Sequence, residues 1–443
     1  MEDTRRRKTS FLFKTKHFSH SPLAGGTLLI LCTLVAIILS NLDATASWYQ
    51  HLWHTTLTIG FEGFNISKPV EMWINDGLMA VFFFVIGLEI KREILAGQLS
   101  TPKQAMFPVV AAIGGMVVPA LIYIFFNSGT AAESGWGIPM ATDIAFALGI
   151  LSLMGSRVPV SLKIFLTALA IVDDLGAILV IAIFYSGGVN WLMLLFAILI
   201  FAYLVILNRR NVHKMRYYLI PSIILWVLFL HSGVHATIAG VLIAMTMPIK
   251  SKFSKHAFVC TSQHLVEAFR RFDKPDVPVL HNHGQHLALQ SLRVIARNTI
   301  SPIQRLEYAL HPSVNFFIMP MFALANAGIS LSAVNAQDFA GGQGLGIIFG
   351  LVVGKPVGIL IFSALAIRLG LAAMPKGASW HKMTGVACLG GIGFTMSIFI
   401  NSLAFTDPQM IAYGKVSILI ASIIAAVLGC MILQYSKPVD FPK

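Results

Sequence analysis

Two adjacent aspartates, Asp173 and Asp174, stand near the middle of an unbroken apolar run, FLTALAIVDDLGAILVIAIFY, covering residues 165–185. About 20 apolar residues at 1.5 Å each cross the hydrocarbon core of a bilayer, so this run is long enough to span one. A carboxylate at mid-depth costs roughly 2.5–3.5 kcal/mol on insertion scales. Intramembrane carboxylates therefore read as a proton or cation site, the bland alternative being a structural ion pair between helices.

Composition fixes the class. Of 443 residues, 56% are hydrophobic and only 12% charged, whereas a soluble domain carries about 25% charged residues. Most of the chain is expected in lipid. The start, MEDTRRRKTSFLFKTKHF, is basic and lacks the apolar core and cleavage site of a signal peptide. Cys32, Cys260, Cys388 and Cys430 have neither metal nor disulfide spacing and read as packing residues.

Twelve apolar spans follow one another, at about 22–41, 72–90, 105–127, 134–152, 164–185, 191–207, 217–230, 233–248, 311–331, 345–367, 384–404 and 412–434. The segments on one side of these spans, both ends of the chain included, hold 29 of the 32 Lys and Arg residues. The alternate loops hold only Lys68 and Lys415, and Lys355 is inside a span. The positive-inside rule then puts both termini in the cytoplasm. The net charge of +13 is thus a topology signal, with anionic lipid as an incidental partner and no call for nucleic acid.

Of 19 acidic residues, only Asp76, Asp143, Asp173 and Asp174 fall within spans, and Glu89 lies at a span's end. Asp143 and Lys355 are both central in their spans, so three carboxylates and one ammonium at one depth suggest a shared polar centre. Two spans also look broken. Gly135, Gly137 and Pro139 precede Ala141-Thr142-Asp143, and Gly390, Gly391 and Gly393 precede Phe394-Thr395. A break frees backbone groups and exposes helix-dipole ends inside the membrane. Asp143 would neutralise an N-terminal end and Lys355 a C-terminal one; alternatively, these glycines only permit close helix packing.

The blocks WINDGLMAVFFFVIGLEIKRE, IPMATDIAFALGIL, LTALAIVDDLGAI, HSGVHATIAGV, RLEYALHP, FALANAGI, VGKPVGI and CLGGIGFTMSIFI run in order along the chain. Together they resemble the NhaA sodium/proton antiporter family, itself one of the cases behind the rule that paired broken spans mark inverted repeats and a midplane site. The resemblance implies an all-α membrane protein of about 12 transmembrane helices, with inverted repeats at spans 3–5 and 10–12 and two discontinuous helices crossing beside the ion site. It makes Asp174 the main cation and proton carboxylate and Asp173 its partner, ion-paired with Lys355 in some states. Thr142 and Asp143 line the crossing, and Asp76 lies on the access path toward the periplasm. It also implies pH sensing by Glu89, Arg92, Glu93, Glu307 and His311 on the cytoplasmic face and by His235, the alternative being that such residues at span ends are solvated topology anchors. Tyr308 replaces a second titrating histidine, which weakens transfer of the pH set-point.

The chemistry supports exchange independently. Protons and a small hard cation compete for the same oxygens, and oxygen ligands (Asp173, Asp174, the Thr142 hydroxyl, freed carbonyls) suit Na⁺ or Li⁺ rather than a soft metal. No cofactor is called for. The family adds direction: Na⁺ out and H⁺ in, electrogenic and pH-regulated, in the bacterial inner membrane. The expected organisation is a basic N-terminus (1–21), a transmembrane domain (22–434) and a tail (435–443). Within the domain, TLTIGFEGFNIS at 56–67 reads as a periplasmic β-hairpin, whose edge would pair with a second copy as in the family's dimers. The long 249–304 connection holds His256, His264, His281, His283 and His286. Histidine is a common metal ligand, but no familiar zinc spacing is completed, so a solvated or loosely helical cytoplasmic loop is expected there. An intramembrane aspartyl protease is excluded, since its YD and GxGD motifs are absent and adjacent helical residues point about 100° apart. The competing class is a sodium-coupled solute symporter or a cation channel of similar fold; no P-loop suggests primary transport.

Overall fold

A computed structural model describes residues 22–61, 64–97, 99–185, 187–273, 277–329 and 341–436. The basic 1–21 segment, Glu62 and Gly63, and most of the 435–443 tail lie outside the described residues. The chain is an all-α membrane protein, with one small hairpin among the described residues. Among the described residues, eight helices are long and apolar enough to cross a membrane, and a bent pair makes nine.

Helix α1 (Pro22–Asn41) and α2 (Asp43–His54) lead into strands β1 (Thr56–Phe61) and β2 (Phe64–Pro69), which pair antiparallel with Ile59 opposite Ile66. A helical turn (Val70–Trp73) and a π-helical turn (Ile74–Leu78) open α3 (Met79–Ala96). Next come α4 (Pro102–Asn127), a 3₁₀ stretch (Glu133–Met140), α5 (Ile144–Leu153), α6 (Val160–Phe184), α7 (Trp191–Arg209), α8 (Arg216–Ser232) and α9 (Ala236–Thr246). Then follow α10 (Lys255–Arg271), α11 (His283–Thr299), α12 (Pro302–Ser313) and α13 (Met319–Asn326). The last are α14 (Gly342–Phe349), α15 (Lys355–Arg368), α16 (Trp380–Gly390), α17 (Phe394–Ala404) and α18 (Pro408–Gln434).

The outer surface is apolar, as a lipid-facing surface must be. Leu31, Phe125, Ile183, Trp191 and Leu199 are all exposed, and α7 turns nearly its whole length outward. Water would not tolerate so large an apolar face on a monomer. Helices α8 and α9 are apolar but short, and α3 carries Glu89, Lys91, Arg92 and Glu93 toward one end.

The 249–304 connection is more ordered than a loosely helical loop. Helices α10 and α11 pack on each other, and the side chains of Ser254 and Asn282 cap their N-termini by accepting from Ala257 N and Gln285 N. Lys252 N and Phe253 N donate to Asn298 O and close the hairpin at its base.

Inside the bundle, α4 and α15 approach until their backbones touch. A Cβ on Gly114 would collide with the carbonyl oxygen of Gly358, and one on Gly358 with that of Gly114. Small residues at such a contact let two helices pack closely without water-driven association. This contact fixes the rotation of α15 and hence the direction of Lys355 at its start. Gly358→Val is expected to lower the melting temperature in detergent by overpacking, a cost of about 1–3 kcal/mol; an unchanged melting temperature would mean the two backbones are not in contact.

Candidate functional site

Two interrupted segments meet at the centre of the molecule. The first is helical as far as Met140, extended through Ala141, Thr142 and Asp143, and helical again from Ile144. The second bends by 44° between α16 and α17, across Gly391, Ile392 and Gly393. The breaks are joined by their own backbone: Asp143 N donates to Ile392 O at 2.7 Å.

Each break leaves unsatisfied N–H groups at one helix start and unsatisfied carbonyls at one helix end. The Asp143 carboxylate serves both starts. Its Oδ1 accepts from Phe146 N (3.0 Å) in the first turn of α5, and its Oδ2 accepts from Thr395 N (3.2 Å) and the Thr395 hydroxyl in the first turn of α17. A negative charge is favoured at each of these positive dipole ends. The helix ends are met by donors. Lys355 Nζ donates to Met140 O, and Thr142 Oγ1 lies 3.0 Å from Gly390 O.

Asp173 is tied into the same cluster. Its Oδ2 is 3.0 Å from Lys355 Nζ and 2.9 Å from Thr142 Oγ1, with both charged side chains fully buried. A π-helical turn at Gly350–Gly354 leads directly into Lys355, and a Cβ on Gly350 would come within 2.7 Å of the Pro139 ring. That close approach carries the ammonium to the end of the first broken segment.

Asp174 is placed differently. Its position one residue along α6 turns it about 100° away from Asp173. It is buried, and neither carboxylate oxygen has a hydrogen-bond partner among the described residues. An unpaired carboxylate away from water is costly to hold ionised. Asp174 instead lines a cavity of about 110 Å³ together with Thr142, Asp143, Met396, Glu89 and His311.

The structure brings Thr142, Asp143, Asp173, Asp174 and Lys355 into one constellation and leaves Asp76 outside it. Asp76 sits in the π-helical turn before α3, where Lys68 Nζ is 2.6 Å from its carboxylate. Glu89 and His311 share the cavity with Asp174. Arg92 contacts Glu93 (3.0 Å) and Glu307 (3.2 Å), joining α3 to α12. His235 stands apart: its Nε2 lies 2.6 Å from Tyr185 O at the end of α6. Thr395 was not singled out from sequence, although it follows the GGIG stretch as Thr142 follows its own Gly and Pro cluster. The carbonyls of Met140, Gly390 and Ile392 carry no residue-type signal and emerge only from the fold.

Comparison with known proteins adds identity to geometry. The model of the Na⁺/H⁺ antiporter 1 family matches residues 16–433. The Na(+)/H(+) antiporter NhaA of Oleidesulfovibrio alaskensis is 49% identical over 411 residues, covering 93% of this chain and 91% of the relative. That of Sulfurimonas denitrificans is 46% identical over 422 residues, 95% of each chain. That of Escherichia coli is 44% identical over 415 residues, 93% of this chain and 95% of the relative.

Because the Lys355–Asp173 pair is fully buried, removing one partner strands the other charge. Lys355→Ala is therefore expected to lose about 3–5 kcal/mol of stability, seen as a lower melting temperature of the purified protein in detergent. A melting temperature equal to that of the unaltered chain would show that the pair contributes nothing.

Proposed function

The chain belongs to the Na⁺/H⁺ antiporter 1 family, and on that premise we propose that it exchanges cytoplasmic Na⁺ or Li⁺ for external H⁺ across the bacterial inner membrane. The observation that carries the reading is the contrast between three buried carboxylates. Asp143 is hydrogen-bonded through both oxygens and Asp173 is paired with Lys355, while Asp174 is unpartnered and faces the cavity. A carboxylate in that position holds either a proton or a cation, because either one neutralises it at the cost of the other.

The cycle follows from that competition. Na⁺ enters from the Glu89–His311 side and displaces protons at Asp174 and Asp173, with Thr142 and nearby carbonyls as further oxygen ligands suited to a small hard ion. Rearrangement of the two broken helices, which cross beside the site, turns the loaded centre to the other face, where protons replace Na⁺. Release of Asp173 from Lys355 in one state supplies the second titrating group, so more protons than sodium ions move and exchange is electrogenic. Asp76 lies along the outer path, and Glu89, Arg92, Glu93, Glu307, His311 and His235 tune the pH response. The twelve-span reading counts α3, α8 and α9 with the nine apolar spans, arranges them as inverted repeats and leaves both termini cytoplasmic. The β1–β2 edge pairs with a second copy in a homodimer.

Two experiments test the proposal in reconstituted vesicles. Asp174→Asn is expected to fold and to lose Na⁺/H⁺ exchange, since the amide can be buried but neither carries a proton nor attracts a cation; retained exchange would falsify the site assignment. The second is pH dependence. At low pH the oxygens hold protons and exclude Na⁺, so exchange should vanish in mild acid and rise with pH. The apparent KM for Na⁺ should fall by up to about tenfold per pH unit for each proton displaced. A flat KM between about pH 6 and 8.5 would reject competition and favour a symporter or channel.

A further inference from the structure

The α10–α11 hairpin carries chemistry that ion exchange does not use. On α10, His256, Cys260 and His264 follow one another at four-residue steps, so they form one row along the helix. All three are exposed, while Phe258, Leu265 and Phe269 on the same helix are half-buried. Cys260 Sγ lies 3.9 Å from His256 Nδ1 and 4.0 Å from His256 Nε2.

We propose that His256 and Cys260 form a two-point chelate for Zn²⁺ or a transition-metal ion of similar softness. Bonds of 2.3 Å to a thiolate and about 2.0 Å to an imidazole, at a tetrahedral angle, hold sulfur and nitrogen about 3.5 Å apart. Sγ stands nearly equidistant from the two ring nitrogens, so a turn of the imidazole about its Cβ–Cγ bond brings one nitrogen to that spacing with its lone pair on the ion. Both side chains are exposed, so such rotations need no movement of the helix. Thiolate with imidazole selects a soft or borderline metal and is a poor match for Na⁺, which separates this site from the carboxylate centre. The other three cysteines lack this arrangement: Cys32, Cys388 and Cys430 lie in apolar helices, and none has a histidine four residues before or after it.

No group of three His, Cys, Asp or Glu side chains is placed to hold a metal ion among the described residues. Water therefore completes the coordination, and the ion exchanges readily, in contrast to a four-ligand structural zinc. The hairpin does not depend on the metal for its fold, because Ser254 and Asn282 cap its helices and Asn298 closes its base. The inference is independent of the transport reading.

The test is titration of the purified, reduced full-length protein in detergent with Co²⁺, read by the thiolate-to-cobalt charge-transfer band in the near ultraviolet. The band is expected in the unaltered chain, absent in Cys260→Ser, strongly weakened in His256→Ala and retained in His264→Ala. Zn²⁺ should displace the band and slow maleimide labelling of Cys260, and it should lose that protection in His256→Ala. An unchanged melting temperature of purified Cys260→Ser in detergent reports that the variant is folded. Absence of the band in the unaltered chain, its survival in Cys260→Ser, or its dependence on His264 in place of His256 would each overturn the assignment.

Discussion

Everything at the centre of this protein answers to one constraint: a charge or backbone dipole without water must find a partner inside the chain. Breaking two helices in the membrane creates four such ends, and the polar side chains around them are distributed to meet that demand. Asp143 satisfies both helix starts, and Lys355 and Thr142 satisfy both helix ends. The direct bond from Asp143 N to Ile392 O makes the breaks one unit. A change at either segment is then felt at the other without a separate relay.

Within that frame, one carboxylate is left over. Asp173 has Lys355 and the Thr142 hydroxyl, and its neighbour has neither. Two residues identical in type and adjacent in sequence thereby acquire different roles from the 100° step of the helix. Thr142 connects Asp173 to the backbone: its hydroxyl lies against both that carboxylate and the carbonyl that ends α16. Asp173 and the end of α16 are therefore joined through a single side chain.

The supporting bundle explains how such a centre stays in place. Backbone contact between Gly114 and Gly358 sets α15 against α4, and the tight approach of Gly350 to Pro139 sets its start against the broken segment. Close packing of this kind has few intermediate positions. The α10–α11 hairpin is built on other terms, with helix caps, an amphipathic interface and an exposed polar face.

The sequence by itself determined the medium, because apolar runs of bilayer length with the basic residues on one side admit no soluble fold. It also marked the residues at stake, since Asp143, Asp173, Asp174 and Lys355 are too costly at mid-span to be incidental, and the Gly and Pro clusters located both breaks. The β1–β2 hairpin was legible from alternation around Glu62-Gly63. Only the tertiary structure decided who meets whom. Neither composition nor periodicity says that Lys355 turns to Asp173 rather than Asp174, that Asp143 caps two helices, that Thr395 joins it, or that Cys260 lies beside His256. Those outcomes depend on helix rotation and on carbonyls that every residue possesses, and rotation is fixed by contacts between segments hundreds of residues apart.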